Sequence, residues 1–277
     1  MGSEVVRADG DWLALREPAD AAARAPELVE TLKGVLPTGR RLVVHDLGAG
    51  TGAMTRWLAP RLLGPQRWVL HERDASLLAP AATSPPPVAS DGSAVSVETR
   101  LGDITQLPPD VLRDADLLTA SALLDMMSAS GLERFVTSCA RAGCPILVTL
   151  SVVGVVELTP SAELDREVMD AFNAHQRRGK LLGPDASAAA VAELEEVGFE
   201  VTARPSPWRL GPDMRGLATE WFTGWVGAAV EQRPELTRAI ASYTRARLAE
   251  AAAGSLSVTV HHVDLLAVPR GSARRCQ

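Results

Sequence analysis

Three glycines at alternate positions follow a short apolar run, and an acid stands just before the first of them. The run is Leu42 to Leu47, and the glycine segment is Gly48-Ala49-Gly50-Thr51-Gly52. Glycine accepts a positive φ and leaves room for a ligand close to the backbone. An apolar-periodic helix is predicted from Met54 to Leu63, so its N-terminus would face that ligand. A strand, a glycine turn and a helix in this order are typical of a site for a nucleotide cofactor.

Two cofactor classes fit this turn. Gly48, Gly50 and Ala53 satisfy the dinucleotide pattern G-x-G-x-x-G/A, so NAD binding stays open. Asp46 stands two residues before the first glycine, however, and the stretch from Asp46 to Gly52 resembles the (D/E)-x-G-x-G-x-G motif of class I S-adenosylmethionine (SAM) methyltransferases. The resemblance implies that Asp46 helps to hold the amino-acid end of SAM. It also implies that Gly48, Ala49, Gly50 and Gly52 pass beneath the cofactor.

A second acid follows the next predicted strand, Trp68 to Glu72. Glu72 lies at the interval where a ribose-binding carboxylate is expected, and a carboxylate can accept hydrogen bonds from two hydroxyls. The neighbouring Arg73 is included among the predicted cofactor contacts. Asp74 is an alternative to Glu72, although the same residue can serve as a helix N-cap.

Two later strand ends extend the resemblance. Val95 to Leu101 alternates as a strand and leads into Gly102-Asp103-Ile104, where the family binds the adenine amino group. Asp116-Leu117-Leu118 resembles the fourth family motif, and the resemblance implies that Ser121, Ala122 and Leu123 lie beside the transferring methyl group. The chain lacks the Asn/Asp-Pro-Pro-Tyr type of tetrapeptide, which favours a small-molecule acceptor.

Candidates for acceptor chemistry lie outside these motifs. His175, on a helix predicted from about Ala162 to Arg178, has the pKa range of a general base. Asp125 and Asn173 are further catalytic candidates. Arg16, in the helical segment before the first strand, suits a SAM or substrate carboxylate.

The composition limits the function classes. The chain has 277 residues, 46% of them hydrophobic, with a net charge of −6 and a pI of about 5.5, which disfavours nucleic-acid binding. No apolar stretch or leader pattern indicates membrane insertion or secretion, so a cytoplasmic protein is expected. Cys139, Cys144 and Cys276 form neither a metal-binding pattern nor an even disulfide set, and no metal is predicted.

Strands that alternate with helices predict an α/β fold with a doubly wound, mostly parallel sheet. The resemblance implies seven strands, of which the last is antiparallel and lies between the fifth (Pro145 to Val153) and the sixth (Phe199 to Pro205). Residues 1–40 are predicted to form an N-terminal helical lid. Residues 41–277 would form the SAM-binding domain, with cap elements at about 157–180 and 212–254.

The second cap element separates the last two strands by roughly fifty residues, far more than a hairpin loop. It is expected to cover the substrate, to form a homodimer contact, or both. Trp208, Trp221, Phe222 and Trp225 would either wall an acceptor or pack the cap onto the sheet. His261 and His262 lie on opposite faces of the last strand, so a metal pair is not expected.

Together these features predict a SAM-dependent methyltransferase that acts on an O, N or C nucleophile of a small metabolite. Three alternatives remain open. They are a SAM-binding protein with a non-methylating or regulatory role, an RNA or protein methyltransferase, and an NAD-dependent oxidoreductase.

Overall fold

The computed structural model describes residues 9–108 and 110–271, so Cys276 lies outside the described residues. The strands are β1 (Leu42–Leu47), β2 (Gln66–Glu72), β3 (Val95–Leu101), β4 (Leu117–Ser121), β5 (Ile146–Thr159), β6 (Phe199–Pro205), β7 (Trp208–Leu210) and β8 (Ser257–Pro269). The helices are α1 (Gly10–Ala23), α2 (Pro26–Lys33), α3 (Ala53–Leu58), α4 (Ala75–Thr83), α5 (Ala129–Ala142), α6 (Asp165–Gln176), α7 (Ala186–Glu196), α8 (Arg215–Gln232) and α9 (Thr237–Ala252).

One sheet carries all of these strands, in the order β3-β2-β1-β4-β5-β8-β6. Strands β1 to β5 are parallel, whereas β8 runs antiparallel between β5 and β6, as predicted. The sheet has eight strands rather than seven, because Trp208–Leu210 adds a short strand that pairs with the beginning of β8. Pro207 separates β6 from β7, since proline has no N–H to continue the ladder.

Strand β5 is longer than predicted. It continues beyond Val153 to Thr159, where it pairs with Ser257 at the beginning of β8. Two register shifts, between Val148 and Ser151 and between Val152 and Val156, bend the strand on the way. Residues 157–159, which were expected to follow the strand, therefore belong to it.

The helix that follows the glycine turn is shorter than predicted. Helix α3 ends at Leu58 instead of reaching Leu63, and a 3-10 turn from Ala59 to Arg61 replaces its last part. Pro60 accounts for the difference, because proline cannot donate the backbone hydrogen bond that an α-helix needs at that position.

The first two helices differ in what they cover. Helix α1 runs through Pro18, which lies inside the helix on its exposed side. Helix α2 buries Leu28, Val29 and Leu32 against the sheet, in the same core as residues of β1 and β2. Of the two helices, α1 therefore lies over the ends of the strands and α2 is part of the layer that covers the sheet.

A second core joins the cap to the sheet. Phe222 and Trp225 of α8 are fully buried there with Val258 of β8. Arg247 of α9 is also buried, and both of its ion-pair partners, Asp165 and Glu250, are close, with Nη2 of Arg247 2.8 Å from Oδ1 of Asp165. The cap is therefore fixed by apolar packing and by a paired buried charge.

Candidate functional site

A cavity of about 970 Å³ opens at the carboxyl ends of the parallel strands. This volume is at the upper end of the range for single small-ligand sites. One part, the turn side, is lined by residues of segments 46–54, 72–77 and 102–105. The other part, the cap side, is lined by residues of segments 150–156, 172–176 and 260–262 together with Trp208 and Trp221. Helix α1 and the segment after β4 border both parts.

The glycine turn brings backbone directly to the cavity. Gly48 has φ +73° and Gly50 has φ +53°, which side chains rarely adopt. A Cβ atom on Gly50 would lie 3.2 Å from Cδ1 of Leu13, and one on Gly48 would lie 3.0 Å from Cδ1 of Leu123. Gly52 begins α3 and does not line the cavity. The turn therefore needs glycine at the two positions that face the cavity.

Asp46 is buried at the end of β1, with one carboxylate oxygen in use and one free. Its Oδ1 accepts a hydrogen bond of 2.7 Å from Oγ1 of Thr119, and its Oδ2 has no partner. Burial raises the pKa of Asp46 to about 6, although Thr119 and the charge of Arg24 act in the opposite direction. An unpartnered buried carboxylate oxygen is costly, so this position favours a cationic hydrogen-bond donor in the cavity.

Arg24 is a buried cation in the cavity wall that the sequence analysis missed. It donates to Oγ of Ser121 at 3.2 Å and to Oγ1 of Thr149 at 3.4 Å, while its Nη1 has no partner. Arg16, the predicted carboxylate contact, also lines the cavity, but its guanidinium makes two-point contact with Asp20 and lies over Trp208. The buried donor without a partner therefore belongs to Arg24. No spacing rule singles it out, because its partners lie on distant strands.

Glu72 reaches the cavity as predicted, but most of its acceptor capacity is already used. The backbone N–H groups of Gly50, Arg73 and Asp74 donate to its carboxylate at 3.0, 2.8 and 3.1 Å. A carboxylate has about four acceptor positions, which leaves room for about one further strong hydrogen bond. Glu72 thus links the glycine turn to the end of β2, and Arg73 borders the cavity beside it. Asp74 is the N-cap of α4, as the alternative interpretation held.

The segment after β3 places Gly102, Asp103 and Ile104 together on the turn side. Oδ1 of Asp103 accepts from both the N–H and the hydroxyl of Thr105, each at 2.8 Å. Partial burial acts to raise the pKa of Asp103, but the hydrogen bonds from Thr105, the charge of Arg73 and a hydrogen bond from Gln106 together outweigh it, and the pKa is lowered. This carboxylate therefore stays ionised and can accept from a ligand amine.

The end of β4 lies where the two sides of the cavity meet. Ser121 accepts from Arg24 and Thr149, and the next residue, Ala122, has an unusual φ of +50°. Such backbone strain in a non-glycine residue is concentrated at functional sites. Asp125 follows in a 3-10 turn and lines the cavity, and burial raises its pKa. Ser121, Ala122 and Asp125 thus all line the cavity.

Helix α6 brings Asn173 and Gln176 to the cap side, but not His175. His175 lies roughly 100° around the helix from Gln176, and its Nε2 is 2.9 Å from Oε2 of Glu231 on α8. Nδ2 of Asn173 donates to the Gly154 carbonyl at 2.7 Å, while its Oδ1 has no partner. The structure therefore leaves Asn173 and Asp125 as the predicted catalytic candidates that reach the cavity.

His262 of β8, which was not a predicted site residue, lines the cavity, whereas His175 does not. His262 is 5% exposed, its ring centroid lies 5.3 Å from that of Trp208, and its Nδ1 has no partner. Burial lowers the pKa of His262 to about 3, so its ring is neutral at physiological pH. His261 also lines the cavity although it is on the other face of β8, and it is half-buried with Nε2 3.3 Å from Oε1 of Glu157. A histidine that interrupts an apolar strand pattern was the available signal for this site.

The four aromatic residues singled out in the sequence serve two purposes. Trp208 and Trp221 line the cavity, whereas Phe222 and Trp225 pack in the core beneath the cap. Within the described ranges, 9–108 and 110–271, no group of three or more His, Cys, Asp or Glu side chains is arranged to hold a metal ion. No helix in that part of the chain is long and apolar enough to cross a membrane.

No protein-family model matches this chain, and no curated protein matches it significantly. Solved structures do resemble it. The cyclopropane synthase MmaA2 from Mycobacterium tuberculosis is 13% identical with a TM-score of 0.51, and the alignment covers 94% of each chain. The YcgJ protein from Bacillus subtilis is 14% identical with a TM-score of 0.49, over 89% of this chain and 99% of that one.

A third structure is geranyl diphosphate C-methyltransferase from Streptomyces coelicolor, in complex with Mg²⁺, geranyl diphosphate and S-adenosyl-L-homocysteine. It is 12% identical with a TM-score of 0.46, over 88% of this chain and 79% of that chain. At such identities a likeness shows the fold and nothing finer. The strand order with an antiparallel strand between β5 and β6, together with the match to the cyclopropane synthase over almost the whole chain, shows that this protein has the fold of the class I SAM-dependent methyltransferases.

Proposed function

We propose that the protein is a SAM-dependent methyltransferase that transfers a methyl group to an O, N or C nucleophile of a small molecule. The observation that carries this proposal is a pair of unpartnered, oppositely charged groups beside the glycine turn. Oδ2 of Asp46 lacks a donor and Nη1 of Arg24 lacks an acceptor. The amino-acid end of SAM offers an ammonium and a carboxylate, which would satisfy both groups.

The remaining turn-side groups suit the nucleoside part of the same ligand. Glu72 has capacity to accept from a ribose hydroxyl, and Asp103 can accept from the adenine amine. NAD would instead bring a pyrophosphate to the glycine turn, where the carboxylate of Asp46 opposes it. The charges therefore favour SAM over a dinucleotide.

When bound, SAM supplies a methyl group on a positively charged sulfur that leaves with the bonding electron pair. The protein needs to align the acceptor, exclude water and receive a proton where the acceptor atom carries one. Asp125 is placed to receive that proton, because it lies where the two sides of the cavity meet and burial raises its pKa. Asn173, on the cap side, is placed to orient the acceptor.

The net charge of −6 and the largely apolar lining of the cap side favour a small molecule over nucleic acid or a protein segment. A SAM-binding protein without methyl transfer would show the same turn side. It is therefore separated from the proposal by turnover, not by cofactor binding.

Calorimetric titration with S-adenosyl-L-homocysteine, with NAD in a parallel titration, tests the cofactor. We expect micromolar binding of S-adenosyl-L-homocysteine and no binding of NAD; the opposite result would overturn the proposal. A second assay follows transfer of tritium from [methyl-³H]SAM to small-molecule, RNA and protein fractions. Label in RNA or protein alone would contradict the small-molecule assignment, and cofactor binding without any transfer would favour a regulatory role.

A further inference from the structure

We infer that the cap side binds a flat, apolar acceptor that is not an anion and that carries at least one O–H or N–H group, and that His262 and Gln176 recognise this group. The inference rests on the proposed function, since it assigns the acceptor for the same cavity. Three features of the cap-side lining support it. They are its aromatic walls, its unpartnered polar atoms and the absence, among the described residues, of an arginine or lysine with an unpaired charge.

Aromatic rings form the walls of the cap side. Trp12 of α1 and Trp208 of β7 are in edge-to-face contact, with ring centroids 6.4 Å apart, and Trp221 and Phe172 also line the cavity. Between them lie branched aliphatic side chains of the bent part of β5 and of β8, namely Val152, Val155, Val156 and Val260. Rings that stack or meet edge to face favour a flat, apolar ligand.

Polar atoms without partners interrupt these apolar walls. Oε1 of Gln176 and Oδ1 of Asn173 are acceptors, and Nδ1 of His262 accepts in the tautomer that is protonated at Nε2; all three atoms are buried and unpartnered. The bond from Nδ2 of Asn173 to the Gly154 carbonyl fixes the orientation of that amide, so its oxygen is available as an acceptor. The ring of His262 is neutral at physiological pH, because burial lowers its pKa to about 3. Buried acceptors of this kind call for a ligand that donates hydrogen bonds.

Among the residues described, the cap side has no arginine or lysine with an unpaired charge. Three arginines line the whole cavity, and Arg73 lies on the turn side beside Glu72. Arg16 is paired with Asp20, and Arg24 is directed to Ser121 and Thr149 at the end of β4. A carboxylate or phosphate on the acceptor would therefore be buried without a counter-charge, which is strongly unfavourable. The acceptor is accordingly not an anion.

Matched sets of probes test this assignment. Protein saturated with S-adenosyl-L-homocysteine is titrated by calorimetry with 2-naphthol, with 2-methoxynaphthalene, which lacks the donor, and with 2-naphthoate, which is an anion. A smaller set of indole, 1-methylindole and indole-3-carboxylate covers a second ring size. In at least one set, we expect the donor-bearing neutral probe to bind roughly tenfold more tightly than both of its analogues.

Two variants locate the recognition. His262→Phe keeps a ring against Trp208 and Gln176→Met keeps the side-chain length, so each removes a hydrogen-bonding atom with little change of volume. Each is expected to weaken the neutral probe roughly tenfold and to leave its donor-free analogue unchanged. Asp170→Asn, an exposed position on the same helix as Gln176, is the matched control and should bind all probes like the unmodified protein.

The outcomes separate this inference from the proposed function. Tight binding of S-adenosyl-L-homocysteine with equal or tighter binding of the anionic probes, or with no discrimination in either set, would overturn the acceptor assignment alone. The inference would also be overturned if both variants weakened the donor-free analogue as much as the donor-bearing probe. The substitutions would then act on packing and not on a hydrogen bond. Failure to bind S-adenosyl-L-homocysteine would overturn the proposed function and this inference with it.

Discussion

The two sides of the cavity differ in where their polar atoms find partners. On the turn side, most of the groups that face the ligand are held by close neighbours in the chain or by an adjacent strand, as when Glu72 accepts from Gly50, Arg73 and Asp74. On the cap side, Gln176 and His262 come from segments far apart in the chain, and each keeps a buried atom without a partner. The turn side is therefore largely preorganised, with Asp46 and Arg24 each keeping one buried atom for the cofactor, whereas the cap side depends on the acceptor to complete its hydrogen bonds.

Gly50→Val should reduce cofactor affinity at the turn side more than any other substitution considered. A side chain at φ +53° is strained, and its Cβ would lie 3.2 Å from Leu13, so affinity for S-adenosyl-L-homocysteine should fall by about a hundredfold or more. Calorimetry provides the measurement. Gly92→Val is the matched control, because Gly92 has φ +81° with no atom near its Cβ position and lies far from the cavity lining. If both variants lose affinity equally, general backbone strain explains the loss and Gly50 has no specific role in the cofactor site.

Asp46→Asn should separate stability from binding on the turn side. Burial raises the pKa of Asp46 from 3.8 to about 6, so the folded state binds its proton more tightly than the unfolded state does. This proton contributes about 3 kcal/mol to the free energy of unfolding below about pH 4. The contribution is lost as the pH rises through about 6.

At pH 7, Asp46→Asn removes this loss of stability but adds an unpaired amide donor. We therefore expect the ligand-free protein to gain about 1 kcal/mol, or roughly 2–4 °C in melting temperature. Affinity for S-adenosyl-L-homocysteine should fall by more than tenfold, because the ammonium loses its carboxylate. In the unmodified protein, affinity should also decline as the pH falls below about 6. A variant that is less stable at pH 7 and still binds normally would contradict this role for Asp46.

Substitutions of Arg16, within α1, and of Arg24, the C-cap of α1, test which arginine binds the carboxylate of the cofactor. Arg24→Gln should weaken binding of S-adenosyl-L-homocysteine roughly tenfold, because Arg24 has the unpartnered Nη1. Arg16→Gln should change it by less than about threefold, because Arg16 is already paired with Asp20. Calorimetry on both variants decides between them, and the reverse order of effects would assign the carboxylate contact to Arg16.

The smallest expected effect concerns His175. Its imidazole faces Glu231 and Arg178 away from the cavity, so His175→Ala should leave cofactor and acceptor-probe binding unchanged. Only a small loss of stability, of about 1 kcal/mol or less, is expected from the exposed ion pair. Thermal unfolding and the same titrations provide the check. A selective loss of methyl transfer with intact binding would restore His175 as a catalytic candidate.

Much of the fold and of the turn side could be predicted from local sequence. The apolar strand, the acid and the alternating glycines of β1 and its turn act through backbone geometry, and the ends of β2 and β3 follow the same rule. Local pattern could not show that β5 continues to Thr159 or that Trp208–Leu210 forms a strand, because each depends on a partner strand far away in the chain. Pro60 and Pro207 were local signals whose effects the sequence analysis did not use.

The sequence by itself therefore determined the order of elements, the glycine turn and the carboxylates at the strand ends, since these follow from φ preferences and from alternation over a few residues. Only the tertiary structure decided which ionisable side chains face the cavity. Arg24 and His262 were brought to it, whereas His175 was turned toward Glu231. The physical reason is that a side chain's surroundings depend on the packing of distant segments, and no spacing between neighbouring residues encodes that packing.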